Sequence, residues 1–355
     1  MLKIKDKWVW DFWLANDDNK WYCYFLQADK SLKDPDLRHN NVTQGLATSK
    51  DLINWDYYGT VLSPSKKENF DDYTVWTGSI LKENSKWHYF YTGRNKKEKG
   101  VKQRIGHAVG NSPYSFERCG NGLALDLDPD IYMEFTENGF WKDQAMRDPW
   151  VMKHPKENKY IMAYTARASI DDDPYQCGVI GMAESTNLYD WKSTKPLFGG
   201  LFSQLEVPQI FQVNNKWYCL FCNHPEDWSD EFKKNYNGPI RRGTHYLISD
   251  NFDGPWEIAP GSFLTSEAEV ELYAGRILQI EKDFFFMAFS CGIVWYRKKR
   301  FIPFFLNFSA TSDFFFIFFV EIVLCVYHLR GIVPLCESSA CNRPHFESLA
   351  GNTAH

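Results

Sequence analysis

Gly45-Leu-Ala-Thr-Ser-Lys-Asp-Leu-Ile-Asn-Trp55 and Gly181-Met-Ala-Glu-Ser-Thr-Asn-Leu-Tyr-Asp-Trp191 carry one pattern: a small-residue strand ending in Ser, then Asn or Asp, then Trp. Each follows an aromatic strand, Trp21-Tyr-Cys-Tyr-Phe-Leu26 in the first case and Tyr160-Ile-Met-Ala-Tyr-Thr-Ala166 in the second. Two looser copies complete the series. Trp87-His-Tyr-Phe-Tyr-Thr-Gly93 precedes Gly106-His-Ala-Val-Gly-Asn-Ser112, and Trp217-Tyr-Cys-Leu-Phe-Cys222 precedes His245-Tyr-Leu-Ile-Ser249 with Trp256 beyond. A fifth aromatic strand, Phe284-Phe-Phe-Met-Ala-Phe289, follows Tyr273-Ala-Gly-Arg-Ile-Leu278. The aromatic strands begin at Trp21, Trp87, Tyr160, Trp217 and Phe284, a spacing of 57 to 73 residues. Strand-rich units at such a period imply radial repetition. The expected fold is all-β, a five-bladed β-propeller over residues 1–292.

Composition agrees with that reading. The chain has 355 residues, 44% hydrophobic and 17% aromatic, enough for a large core. Its net charge of −5 argues against a nucleic-acid partner. The N-terminus runs directly from Lys3, Lys5 and Lys7 into Trp8-Val-Trp-Asp-Phe-Trp13, which reads as a strand and not as a secretory signal. The expected location is cytoplasmic, or secreted if the N-terminus is incomplete. The nine Cys show no framework spacing. Cys219 and Cys222 lie three apart in a strand and face opposite ways, so no metal site and no cofactor are expected. Asp171-Asp-Asp173 reads as a solvated loop.

Residues 293–355 fall outside the repeat and read as an atypical tail that is not a folded domain. Its apolar run, Phe314 to Tyr327, is 14 residues long and contains Glu321. A spanning helix needs ~20 apolar residues, so no membrane span is expected.

Three acidic residues stand where innermost strands should run, just before the aromatic ones: Asp11 in Val9-Trp-Asp-Phe-Trp13, Asp148 in Met146-Arg-Asp-Pro-Trp150, and Glu206 in Gln204-Leu-Glu-Val-Pro-Gln209. Innermost strands converge on the propeller axis, so these three can meet. Glycoside cleavage needs one carboxylate as nucleophile or base and another as acid. Crowding and burial split their pKa values into two roles. Trp10, Trp13 and Trp76 offer apolar faces to a sugar ring. The expected partner is a small carbohydrate.

These residues resemble the β-fructosidase superfamily, the glycoside hydrolases of families 32 and 68. Val9-Trp-Asp-Phe-Trp13 is similar to the levansucrase opening motif, and the resemblance implies that Asp11 is the nucleophile. Trp76-Thr-Gly-Ser79 resembles a segment lining the fructose pocket, implying a substrate-binding role for Ser79. Arg147-Asp148-Pro149 matches a motif whose Asp binds fructosyl hydroxyls, with Arg147 keeping Asp148 ionised. Leu205-Glu206-Val-Pro208 fits the element that holds the acid/base. Phe12, Leu14 and Val207 depart from the levansucrase pattern, and the family 32 opening Asn-Asp-Pro-Asn-Gly is absent. The resemblance implies a retaining hydrolase or fructosyltransferase on sucrose or fructan. An inverting arabinofuranosidase or xylosidase of the family 43 type, and a catalytically dead carbohydrate-binding propeller, remain alternatives.

Overall fold

Short two-residue turns set the first step of three of the blades. Asp18-Asn19, Asn84-Ser85 and Asn214-Asn215 all have positive φ at both positions. That is the type I′ geometry, whose twist suits a tight antiparallel hairpin. The computed structural model describes residues 2–135, 141–238, 240–259, 272–281, 283–290 and 327–328.

Five antiparallel sheets follow one another along the chain. Blade one is β1 (Lys7–Asp17), β2 (Lys20–Asp29), β3 (Thr43–Ser49) and β4 (Asp56–Leu62). Blade two is β5 (Thr74–Glu83), β6 (Lys86–Arg94), β7 (Gln103–Ser112) and β8 (Ser115–Leu125). Blade three is β9 (Met146–Lys153), β10 (Tyr160–Arg167), β11 (Gly178–Ser185) and β12 (Lys192–Gly199). Blade four is β13 (Glu206–Val213), β14 (Lys216–Asn223), β15 (Gly243–Ser249) and β16 (Glu257–Ile258). Blade five is β17 (Leu272–Ile280), β18 (Asp283–Ser290) and β19 (Tyr327–His328). Each blade is a meander, and its first strand packs beside the first strands of its neighbours, β17 returning to β1. This is the expected five-bladed β-propeller. The tail enters it at one point, where Tyr327 and His328 pair with Phe286 and Phe285. The rest of 293–355, and the reading of it as not a folded domain, lies outside the described residues. Among the described residues no helix is long and apolar enough to cross a membrane.

The aromatic strands of the sequence are the second strands of the blades. β2, β6, β10 and β14 are buried along almost their whole length because blades cover both their faces. The Ser–Asp/Asn–Trp signature is a turn device between third and fourth strands. Ser49 Oγ accepts from the N–H groups of Asp51 and Leu52, Asp51 accepts from Ile53 and Asn54, and Trp55 Nε1 donates to Leu52 O at 3.0 Å. Ser185, Asn187 and Trp191 repeat this bond for bond. Leu52 and Leu188 take positive φ to make the turn. Cys219 and Cys222 pack in different apolar clusters, as alternation requires, and burial pushes both thiols up to about 12. Asp173 caps the short 3-10 turn Pro174–Gln176 by accepting from Tyr175 N.

Ring closure joins the two ends by packing and by one buried cation. Leu2, Ile4, Val9 and Phe12 share a cluster with Leu278 and Met287 of blade five. Arg276, 2% exposed, donates to Phe12 O of blade one and to Val207 O and Pro208 O of blade four. Arg276→Met keeps bulk but strands three buried carbonyl oxygens, each costing ~1–3 kcal/mol. Thermal melting should therefore fall by well over 5 °C, at ~2–4 °C per kcal/mol for a large domain. A shift under ~2 °C would mean that apolar packing alone closes the ring.

Candidate active site

Each innermost strand breaks its ladder at one place, and those five places face one another. In β1 the register to β2 skips Asp11, and in β5 the register to β6 skips Thr77. In β9 it skips Asp148 and Pro149, in β13 Val207 and Pro208, and in β17 Ala274 and Gly275. These are β-bulges, which re-aim a side chain at the cost of ladder bonds. Asp11, Asp148, Val207 and Ala274 all take positive φ there. Such φ is uncommon without glycine and exceptional for β-branched Val207, and strain of this kind concentrates at functional sites. After Thr77 comes Gly78, where a Cβ would lie 2.1 Å from Phe90 O, so the chain can take this path only with glycine.

The bulges superimpose as a register. Asp11 and Asp148 hold equivalent positions, whereas Glu206 stands one residue earlier, at the position of Trp10, Trp76, Arg147 and Tyr273. Two kinds of side chain therefore meet at the axis. Asp148 is buried, its Oδ2 accepting from Thr165 Oγ1 at 3.0 Å and Val207 N at 3.1 Å. Asp11 and Glu206 keep part of their surface open. Asp11 Oδ2 accepts from Thr77 Oγ1 at 2.5 Å. Glu206 accepts from Arg147 Nη2 at 2.6 Å and from the Tyr273 hydroxyl.

Arg147 is the buried counterion of the hub, but its short contact is to Glu206; Asp148 lies 3.6 Å away. Arg147 does act on Asp148 in the expected direction, favouring its ionised form. Burial outweighs Arg147 and pushes Asp148 up to about 6. Burial and the Asp148 charge push Asp11 up to about 7, against the opposing hydrogen bond from Thr77. Burial also acts on Glu206, but Arg147, His224 and Tyr273 overcome it and hold Glu206 below the usual range. The carboxylates are split, as crowding requires: both Asp groups are raised and Glu206 is held low.

Of the aromatic residues expected to meet sugar, Trp76 and buried Trp10 pack beside His39. Trp76 donates its Nε1 to His39 O at 2.8 Å and carries the Arg94 guanidinium 4.0 Å from its ring centroid. Trp10 lies beside the His39 ring and under Arg38. Trp13 does not reach the mouth. It is fully buried between Tyr24 and Tyr89, because the bulge at Asp11 resets the alternation and turns Trp13 into the blade interface. Ser79, likewise just past a bulge, is buried and accepts from Val151 N, joining blade two to blade three. Both differ from the expectation that Trp13 and Ser79 contact the sugar.

Sequence reasoning missed Thr77, Tyr273, His39 and a supporting web. Gln204 accepts from Arg147 and donates to buried Asp227, which also accepts from Ser203 Oγ. The signal for Thr77 and Tyr273 was available, since both align with the quoted acidic residues once blades are superimposed.

The chain matches the glycosyl hydrolases family 32 N-terminal domain over residues 11–288. It is 26% identical over 308 residues to an invertase of Wickerhamomyces anomalus, covering 78% of this chain and 47% of that protein. It is 26% identical over 214 residues to a sucrose-6-phosphate hydrolase of Vibrio alginolyticus, covering 58% and 38%. The chain thus spans less than half the length of these relatives. Among solved structures, an inulosucrase from Halalkalicoccus jeotgali bound to kestose superimposes with TM-score 0.68 at 21% identity, covering 81% of this chain and 77% of that one. A Bacillus subtilis levansucrase gives 0.62 at 16%, covering 81% and 80%. These two likenesses show the propeller fold.

The raised carboxyls have a stability consequence with a definite sign. Asp11 and Asp148 bind protons more tightly folded than unfolded, so their contribution is full below about 4 and is lost as pH rises through about 6 to 7. Asp11→Asn removes the larger share of that loss. Its melting temperature should exceed the parent's at pH 8 and converge with it near pH 4. A gap that is equal at both pH values would contradict the buried-charge account.

Proposed function

The chain belongs to family 32 of the glycosyl hydrolases, and on that premise we propose that it cleaves or transfers the fructosyl unit of a β-fructofuranoside, sucrose or a fructan, with retention. The observation that carries this reading is the convergence of Asp11, Asp148 and Glu206 on the axis, two of them at strained bulges. The names of the similar proteins, invertase and sucrose-6-phosphate hydrolase, support the substrate class.

In the proposed reaction, an Asp11 oxygen attacks the anomeric carbon as its bond to the leaving oxygen breaks, and Glu206 gives that oxygen its proton. Glu206 then takes a proton from water or an acceptor hydroxyl. The oxygen so activated attacks the same carbon and frees Asp11. Asp148, fixed by Thr165 and the Val207 N–H, holds furanose hydroxyls as positive charge builds on the ring. Tyr273 and Arg147 position Glu206 through the bonds they donate to it.

The productive form needs one proton in the trio, on Glu206, with both Asp residues ionised. Burial raises Asp148 to about 6 and Asp11 to about 7, and groups coupled in this way titrate as one set. kcat/KM should then peak between about pH 6 and 7 and fall on both sides. Thr77→Val deletes the bond that lowers Asp11 and should move the alkaline limb upward. The test is product analysis with sucrose, inulin, levan, and arabino- and xylo-oligosaccharides, followed by this pH profile on the best substrate. Release of arabinose or xylose without fructose would overturn the substrate class. An alkaline limb unmoved by Thr77→Val would remove Asp11 from the profile.

A further inference from the structure

Arg147 is held toward Glu206 by a glutamine on either side, and each glutamine is itself oriented by a buried carboxylate. On one side Gln103 Oε1 accepts from Arg147 Nη1 at 3.2 Å, while Gln103 Nε2 donates to Asp143 Oδ2 at 2.6 Å. On the other, Gln204 Oε1 accepts from Arg147 Nη2, while Gln204 Nε2 donates to Asp227 Oδ1 at 3.0 Å. An ionised carboxylate only accepts, so it takes the amide nitrogen and leaves the amide oxygen for the guanidinium. Each terminal guanidinium nitrogen carries two hydrogens. At Nη2 one goes to Gln204 and the other to Glu206 Oε1 at 2.6 Å, so the amide that fills the first direction fixes the second.

The two sides are not equivalent. Asp143 is matched by Arg167 at 2.6 Å, and its amide arm ends on Arg147. Asp227 stands behind both oxygens of Glu206. It closes the short 3-10 turn Pro225–Asp227, just after β14, and is fully buried. Its Oδ1 accepts from Ser203 Oγ at 2.7 Å as well as from Gln204, and its Oδ2 accepts from His224 N at 3.3 Å. Its backbone N–H donates to His224 O at 2.9 Å and its carbonyl accepts from Ser203 N at 2.7 Å. The segment entering β13 is thereby stitched to the segment leaving β14, which also bridge at Phe202 and Trp228. His224, held in this way, packs its ring 5.1 Å from that of Tyr273, whose hydroxyl donates to Glu206 Oε2. One arm from Asp227 thus runs to Oε1 and the other to the residue that holds Oε2. Burial, and next the charge of Glu206, push the Asp227 carboxyl up to about 6, so the two carboxylates lie within electrostatic reach. A buried network with its members satisfied is rigid, and rigidity is what a proton donor in a fixed site needs.

We propose that Asp227 is a positioning residue for the acid/base: by orienting Gln204, and through it Arg147, it holds the Glu206 carboxyl in the attitude from which the proton is passed. This rests on the acid/base reading of Glu206 above. Asp227→Asn keeps the shape, but its NH2 must face either the His224 N–H or the Ser203 and Gln204 donors, and the Gln204 amide loses its orientation. kcat/KM for sucrose should fall about tenfold or more, and for an activated aryl β-fructofuranoside less than about threefold, because only the poor leaving group needs the proton. Gln204→Met breaks the same link from its other end and should give the same split. The double variant should lose no more than about twofold beyond the worse single one, since residues acting along one path are non-additive. Equal loss on both substrates in the two single variants would mean that the network serves folding alone and would overturn the proposal. Losses that multiply in the double variant would overturn it as well. Glu206→Gln is the reference. If it too loses equally on both substrates, the acid/base reading falls, and the role of Asp227 falls with it.

Discussion

The bulge in each innermost strand is the constraint from which the site follows. A regular strand near the axis would send alternate side chains into the two neighbouring blade interfaces and leave none for the centre. Skipping one or two residues per strand lets the first skipped residue, as at Asp11 and Asp148, and the residue before it, as at Glu206 and Arg147, reach the centre, and positive φ at Asp11, Asp148, Val207 and Ala274 records the backbone cost. The rest of the ring tolerates this because second strands buried on both faces hold each sheet, and because Thr92, Thr165 and Arg276 reconnect what the bulges leave open. The same device that places the carboxylates also fixes their polar surroundings.

Those surroundings do not match the simplest picture of a glycosidase hub. Buried Arg147 reaches Glu206 at 2.6 Å and Asp148 only at 3.6 Å, and buried Arg276 is the second cation whose charge acts on Asp11 and Asp148. The Asp pair is left with more burial than countercharge. Burial accordingly raises the group proposed to attack, while Thr77 and Tyr273 oppose burial at Asp11 and Glu206 by donating hydrogen bonds to them.

The fold was legible because the repeat has a local chemical cause. Ser49 and Ser185 cap identical turns, so the Ser–Asp/Asn–Trp spacing marks the turn from third to fourth strand in blades one and three. The repeat therefore marks blades and says nothing about chemistry. The acidic residues were legible by their place before the aromatic strands. What escaped was the parity of the bulge. Trp13 was expected at the sugar as an aromatic neighbour of Asp11 and Ser79 by the resemblance of its segment, and each lies just beyond a skipped residue that turns it into a blade interface. Arg147 was recognised as the partner of Asp148, but its closer bond to Glu206 was not, since pairing across 59 residues depends on the angle between blades and not on sequence adjacency. Tyr273 was quoted only as part of a strand, because a single aromatic residue in an aromatic chain carries no signal until its blade is superimposed on the others.

The central claim is that Asp11 forms the bond to the sugar. The most direct measurement is peptide mapping by mass spectrometry of Glu206→Gln after brief incubation with an activated aryl β-fructofuranoside. That variant can be fructosylated with a good leaving group but lacks the base that releases the adduct. The account predicts one fructosyl adduct, on the peptide that carries Asp11. Turnover of the aryl fructoside with no trapped adduct, or an adduct on the Asp148 peptide, would contradict it.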